Sequence, residues 1–209
     1  MAERDYPDSG RNHLDFWQAA SGAILALFVC IHLVLEGTVI LTPSLTNGIA
    51  WLLEALWIAQ LSAPILLLIV AVHFYIAARK MPFRTGELQL FVRHSRALCE
   101  QDTWLWLVQV FTAIIILMGV FFHVYTVMTD LPISAARSAA RLHQGGLLFY
   151  VFFLPSVILH TGIGVYRLAA KYGFCTRANR ALWRKRIMIG MAAYAVVGFL
   201  ALVRVWFLA

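Results

Sequence analysis

Charge is scarce in this chain. Of its 209 residues only 13% are Asp, Glu, Lys or Arg, against 62% hydrophobic, and the mean hydropathy is +0.79. That leaves too little polar surface to cover a water-soluble globule of this size, so lipid is the solvent for most of it. Cysteine is scarce too. Cys30, Cys99 and Cys175 stand far apart with no C-x-x-C pair, which excludes a disulfide framework, covalent haem attachment through C-x-x-C-H, and an iron–sulfur cluster held by this chain alone. There is no glycine motif for a dinucleotide. No stretch alternates with the period of two that a membrane-barrel strand needs. The first fifteen residues carry both signs of charge and lead into an apolar segment too long for a signal peptide, so the N-terminus is expected to be retained.

What the chain does have is five long apolar runs: 16–41, 51–78, 104–129, 143–170 and 187–208. Each holds at least the roughly 20 residues a spanning helix needs, and backbone groups in hydrocarbon must be satisfied internally. The expected fold is all-α, one membrane domain over 1–209 built as a bundle of five transmembrane helices. Pro64 and Pro155, inside two of the runs, predict local kinks.

The 17 Lys and Arg residues orient the bundle, because cytoplasmic ends of spans carry the positive excess. With the N-terminus cytoplasmic, the inner side collects Arg4, Arg11, Arg79, Lys80, Arg84, Arg93, Arg96, Arg167, Lys171 and the cluster from Arg177 to Arg186. Only Arg137, Arg141 and Arg204 remain outside. This asymmetry accounts for the net charge of +7 without a nucleic-acid partner. The basic inner face suits anionic lipid, and secondarily a soluble protein partner. Trp17, Trp51, Trp57, Trp104, Trp106, Tyr125 and Tyr166 fall mainly toward span ends, as an interfacial belt does.

Four of the seven histidines lie well inside spans, one in each of the first four: His32, His73, His123 and His160. One buried histidine is as readily explained by a hydrogen bond to a neighbouring helix as by function; four together need more. Consecutive spans run in opposite directions, and each residue rises about 1.5 Å. His32, 16 residues past Phe16, and His123, 19 past Trp104, therefore sit in the outer half. His73, six before Arg79, and His160, seven before Arg167, sit in the inner half. The two levels differ by roughly 15 Å. Paired imidazoles at one level can hold a haem iron from both faces, and two stacked pairs make an electron wire between helices 1–4. A proton relay or a metal site would also use buried histidines, but neither calls for two levels with one residue per helix. His13 and His94 fall in polar inner segments. His143 opens the fourth run at the outer surface beside Arg141, where it is interfacial or helps a quinol lose protons.

Several pieces of sequence surround these histidines: Asp15-Phe16-Trp17-Gln18 and Gly22 before His32; Ala78-Arg79-Lys80-Met81-Pro82 after His73; Asp102-Thr103-Trp104 leading to His123-Val124-Tyr125; and Gly162, Gly164, Tyr166-Arg167-Leu168 and Lys171-Tyr172-Gly173 after His160. In this order the chain resembles the di-haem cytochrome b subunits of succinate:quinone oxidoreductases, the fumarate reductase type with one five-helix subunit. The resemblance implies two non-covalent haem b groups, with His73 and His160 on the proximal iron and His32 and His123 on the distal one. It implies Gln18, Trp106, Lys171 and Arg141 as contacts to haem propionates or edges. It also implies a flavoprotein subunit that interconverts fumarate and succinate, an iron–sulfur subunit docked on the basic inner face, a membrane quinone, menaquinone in particular, as substrate, and a place in the bacterial cytoplasmic membrane. Near the distal level Glu54 is the first candidate to accept a quinol proton, then Glu36; both also read as interfacial acids. Some members of the family carry a glutamate two residues before the fourth-helix histidine; here that residue is Ile158, which cannot carry a proton.

Other di-haem cytochromes, of the hydrogenase, formate dehydrogenase or ascorbate-driven type, commonly take two ligands from one helix. A haem-free transporter built around Pro64 and Pro155 would cluster its histidines at one central level. A bare anchor leaves four costly residues without a purpose. The direction of electron flow, and whether the complex pairs through the histidine-free fifth helix, are left open by the sequence.

Overall fold

The computed structural model describes residues 9–82, 84 and 86–208. Arg4, one of the inner-side charges, lies outside the described residues. Every regular element among those described is helical: α1 (Ser9–Gly37), α2 (Pro43–Ala55), α3 (Ile58–Ala78), α4 (Glu87–Leu98), α5 (Gln101–Met128), α6 (Ala135–Arg141), α7 (Leu147–Lys171) and α8 (Arg180–Trp206). Five helical segments are long and apolar enough to cross a membrane: His13–Ile40, Ile58–Ala78, Gln101–Met128, Ala135–Lys171 and Arg180–Trp206. Large apolar side chains such as Leu27, Leu68, Met118, Phe152 and Met188 point outward and are exposed. In water that surface would aggregate; in a bilayer it faces acyl chains. The chain is a multi-pass membrane protein.

The helices differ from the sequence expectation at three places, all outside the hydrophobic centres of the spans. The run expected from 51 to 78 is divided. Trp57 takes a left-handed conformation at φ 57°, which ends α2 and starts α3 in a new direction. The Glu54 carbonyl secures the break by accepting from the Trp57 N–H at 2.9 Å and the Gln60 side chain at 3.4 Å. The fourth span begins earlier than expected. Ser134 caps α6 by accepting from the Arg137 N–H, and the helix then swings into α7 through a wide turn, where Gly145 at φ 104° supplies a conformation open mainly to glycine. Third, α4 is an additional helix in the loop between α3 and α5, where no element was expected. Phe91 on its face packs on Trp106 of α5 at a ring separation of 4.3 Å. Pro64 and Pro155 lie inside helices that run on without interruption; the interruptions fall at Trp57 and Gly145.

Contacts run around a ring: α1 against α3, α3 against α5, α5 against α7, and α7 back against α1, with α8 packed outside on α1 and α7. Glycine is used where helices come closest, as is usual where no water drives association. A Cβ on Gly119 of α5 would lie 2.4 Å from a ring carbon of Phe153 on α7, and one on Gly198 of α8 would lie 2.8 Å from Leu154. At one end of the bundle α2 clamps the start of α6: the Asn47 side chain accepts from the Ala135 N–H at 2.8 Å, and Glu54 accepts from the Ile133 N–H at 2.6 Å.

A methyl at 119 would press on Phe153 at 2.4 Å and on Phe149 at 3.3 Å, so both rings would have to shift. We therefore expect Gly119→Ala to cost about 1–3 kcal/mol through overpacking, read as a lowered thermal midpoint of the purified protein in detergent. Gly190→Ala, at a site with nothing within 4 Å, serves as the control and leaves the midpoint in place.

Candidate functional site

The ring of α1, α3, α5 and α7 encloses one long cavity of about 1110 Å³. Pockets for a single small ligand run about 300–1,000 Å³, so this one has room for more than one such group. Its walls are mainly aliphatic, and all four histidines of the spans line it. Each is only half buried although it lies inside a span, because its ring faces this space.

Given the order of helices around the ring, His32 of α1 and His123 of α5 come from opposite helices, and so do His73 of α3 and His160 of α7. The rings of His32 and His123 are 6.1 Å apart centre to centre and inclined by 70°. A metal held between the two rings at about 2 Å from each would fit roughly this separation. Phe28 stacks on His32 at 5.3 Å, and Phe153 lies 6.0 Å from His123, so both rings are held by packing. Among the described residues no three of His, Cys, Asp and Glu come together.

The hydrogen bonds of the histidines determine which nitrogen is available. His160 Nδ1 is 3.0 Å from the Gln109 carbonyl. A carbonyl only accepts, so Nδ1 carries the proton, and the Nε2 lone pair is left free. Thr112 stands 3.2 Å from the same nitrogen while its own hydroxyl donates to the Val108 carbonyl. His73 Nδ1 is 2.9 Å from Ser21 Oγ. The Ser21 proton is claimed by the Trp17 carbonyl at 2.7 Å, so this serine accepts from His73, and Nε2 is again the unprotonated nitrogen. Gly22 makes that approach possible: a Cβ there would stand 3.0 Å from His73 Cε1. His123 Nδ1 is 2.9 Å from the Tyr150 hydroxyl, a group able to donate or accept. Fixing one imidazole nitrogen so that the other can ligate is the usual support of a metal-bound histidine.

Both ends of the cavity are polar. At the His73 and His160 end, Asp15, Gln18, Lys80, Trp106, Gln109, Arg167 and Lys171 line it. Lys80 binds Asp15 at 2.7 Å and the Gln18 side chain at 2.9 Å, Lys171 donates to the Asp15 carbonyl at 2.6 Å, and Arg167 donates to Gln109 Oε1 at 3.3 Å. Behind this end Asp102 draws three helices together, accepting from the Tyr166 hydroxyl at 3.0 Å and pairing with Arg180 at 3.3 Å and Arg184 at 3.8 Å. At the His32 and His123 end the lining includes Glu36, Ser134, Ser138, Arg141 and Tyr150. Asp130 holds Arg137 and Arg141 there, and Arg141 also donates to Ser138 at 2.9 Å. Hydrogen bonding from Arg137, followed by that from Arg141, keeps the Asp130 carboxyl below its ordinary value.

The structure thus brings Gln18, Trp106, Lys171 and Arg141 to the cavity with the four histidines. Of the three candidates for accepting a quinol proton, only Glu36 lines the cavity, one helical turn from His32. Glu54 is turned to the Ile133 amide, and His143 stacks on Trp206 at 3.8 Å with its Nε2 3.0 Å from the Trp206 carbonyl. The reading of the sequence missed Ser21, Gln109, Thr112 and Tyr150 as partners of the histidines, and took Lys80 and Arg167 only as markers of topology. A signal for them was present: Gln18 with Ser21, and Gln109 with Thr112, are polar pairs at i, i+3 inside apolar runs.

Residues 89–201 match the family described as the succinate dehydrogenase/fumarate reductase transmembrane subunit. The chain is similar to the fumarate reductase cytochrome b subunit of Helicobacter pylori strain J99, 30% identical over 195 residues that cover 88% of this chain and 76% of the relative. It is 30% identical to the protein of the same name from H. pylori strain 26695 over 77% of this chain and 67% of that one. With the fumarate reductase cytochrome b subunit of Wolinella succinogenes it shares 28% identity over 88% of this chain and 77% of the relative.

The Asp130 cluster predicts a pH dependence. Its folded carboxyl titrates below the ordinary 3.8, so its contribution is complete above that value and is lost as the pH falls through the lower folded one. Asp130→Asn removes the contribution at any pH. The gap in thermal midpoint between the parent and this variant should be constant from about pH 7 to 5 and close below about pH 3.8; a gap that persists into strong acid would count against the pairing.

Proposed function

Because the chain belongs to the succinate dehydrogenase/fumarate reductase transmembrane subunit family, we propose that it is the di-haem cytochrome b subunit of such a complex. In this reading the whole chain is one membrane domain with its N-terminus on the cytoplasmic side of a bacterial inner membrane. It anchors an iron–sulfur subunit and, through it, a flavoprotein subunit on the basic inner face, and links their electron transfer to a membrane quinone, menaquinone by resemblance. The observation that carries the proposal is the pairing of four cavity-facing histidines from opposite helices at two depths, with His73 and His160 presenting a free Nε2.

The residues fit the group the family implies. His32 and His123 would hold one haem iron, and His73 and His160 the other. Haem bound at the two levels would supply one-electron carriage between the faces of the membrane. With two imidazoles for each iron, the group would carry electrons and would not bind oxygen. Lys80, Lys171 and Arg167, with Gln18 and Trp106, provide donors for carboxylates at the inner end, and Arg141 does so at the outer end. The aliphatic walls between the two polar ends would give a bound group an apolar setting. Glu36, on the wall of the outer end, is the group best placed to take a proton from a bound quinol hydroxyl. Ile158 offers no proton acceptor on α7, so a proton leaving the outer level has no carboxylate route through that position.

The test is a reduced-minus-oxidised visible spectrum of the purified protein, with haem quantified against protein as the pyridine haemochrome. We expect about two b-type haems per chain. His73→Ala or His160→Ala should remove the inner one and spare the outer, while His32→Ala or His123→Ala should do the reverse. Unchanged haem content in these variants would overturn the ligand assignment. A folded preparation that holds no haem, and has not lost it during purification, would overturn the function.

A further inference from the structure

The partners of the histidines are not equivalent. At His160 the partner is a carbonyl and at His73 a serine whose proton is already committed, so in both the imidazole must donate from Nδ1. The third partner, the Tyr150 hydroxyl at 2.9 Å from His123 Nδ1, has no such restriction. If the phenol donates, His123 carries its proton on Nε2 and has no lone pair toward the cavity. If the phenol accepts, His123 presents the free Nε2 that a ligand needs. Tyr150 therefore stands at a branch between a ligating and a non-ligating form of the same side chain.

Geometry limits how Tyr150 can move. It projects from α7, and its ring meets Phe149 edge-on at 5.0 Å and lies perpendicular to His123 at 5.9 Å. The hydroxyl and the ring nitrogen are thus held in register by two helices, α7 and α5. Once Nε2 is bound to a metal the tautomer is set, Nδ1–H donates to the Tyr150 oxygen, and the phenol proton must turn to the cavity, which Tyr150 lines with Arg141 and Glu36.

We propose that Tyr150 is a positioning residue for the outer level: its oxygen accepts the His123 Nδ1 proton, fixes the ligating tautomer, and sets the electron-donating strength of that imidazole. This rests on the di-haem reading given above. An acceptor at Nδ1 makes the imidazole a stronger donor, which favours the oxidised metal. Removing it shifts the balance toward the reduced form at the outer level and leaves the inner level, supported by Ser21, Gln109 and Thr112, unaffected.

The experiment is a spectroelectrochemical titration of the purified complex carrying Tyr150→Phe, with low-temperature EPR of the oxidised haems. Two haems per chain are retained, and the reduced-to-oxidised ratio of the outer haem at fixed potential rises about threefold. That is roughly a 30 mV upward shift at 59 mV per tenfold for one electron. The low-spin EPR signal of the outer haem moves as its imidazole is freed to rotate, while the inner haem keeps both its potential and its signal. Should Tyr150→Phe fail to assemble, a fluorinated tyrosine at 150 keeps the volume and the hydroxyl but weakens the oxygen as an acceptor. It shifts the outer haem in the same direction by a smaller amount. Both haems present with the outer potential and signal unchanged would overturn the proposal, even if stability falls. His123→Ala separates the two levels of inference: if that variant keeps both haems, the ligand assignment has failed and the role of Tyr150 falls with it, whereas loss of the outer haem there, with the Tyr150→Phe potential and signal unchanged, overturns the role of Tyr150 alone.

Discussion

An imidazole placed in the hydrocarbon of a bilayer has two nitrogens to satisfy and no water to satisfy them. This chain answers the problem from one side only. At His160 a main-chain carbonyl takes the Nδ1 proton; at His73 a serine does so, its own hydrogen already given to the helix behind it. Satisfied at Nδ1, the ring has a fixed tautomer and a fixed edge, and its remaining lone pair is directed away from that partner. Much else in the bundle follows from that requirement. Gly22 has no side chain because the ring of His73 occupies its place. Thr112 follows Gln109 by three residues because one helical turn must present a carbonyl and a hydroxyl to the same imidazole.

The second requirement is to keep four such rings around a space instead of collapsing onto it. Helix contacts that run from α1 to α3 to α5 to α7 and back make a ring whose diagonals carry the histidine pairs. Close contact is made beside the cavity, where Gly119 admits Phe153 and Gly198 admits Leu154. The ends are then tied. Asp102 joins α5 to Tyr166 of α7 and to Arg180 and Arg184 of α8, and Asp130 with Arg137 and Arg141 fixes the loop before α7. Helix α8, with no histidine, closes the outside of the bundle against α1 and α7.

The parts of this arrangement that could be read from sequence are those fixed by local chemistry. Hydropathy locates the spans because each must match the bilayer by itself, and the rise per residue sorts the histidines into levels because depth is a one-dimensional coordinate. Azimuth around a helix is different. Glu36 and Glu54 both read as acids near the outer surface, yet one lines the cavity and the other bonds to Ile133 of a distant loop. That distinction depends on where a neighbouring chain segment passes. The break at Trp57 was hidden for a related reason: a tryptophan with positive φ has no local signature, and its conformation is held by the Glu54 carbonyl and the clamp of α2 on α6. Helix α4 lies outside the apolar runs, so hydropathy gave no reason to look for it.

The two ends of the cavity differ in how firmly their cations are held, and this bears on how an anionic group enters. At the His73 and His160 end Lys80 and Asp15 keep 47% and 41% of their side-chain surface exposed. A pair so open to solvent contributes about 0–1 kcal/mol. Lys80 and Lys171 each have three donors, so a carboxylate arriving from within the cavity can displace Asp15 or share its partners at little cost. At the His32 and His123 end Arg141 keeps only 17% exposed and is held at once by Asp130 and Ser138. It cannot follow a ligand without leaving Asp130 to Arg137 alone. The lysine end would therefore adapt to an anionic group, while the other end presents a guanidinium already held in place. A long rigid group with carboxylates on one edge would insert most easily if its position were fixed by Arg141 and the histidine pairs, with Lys80 and Lys171 closing on it last.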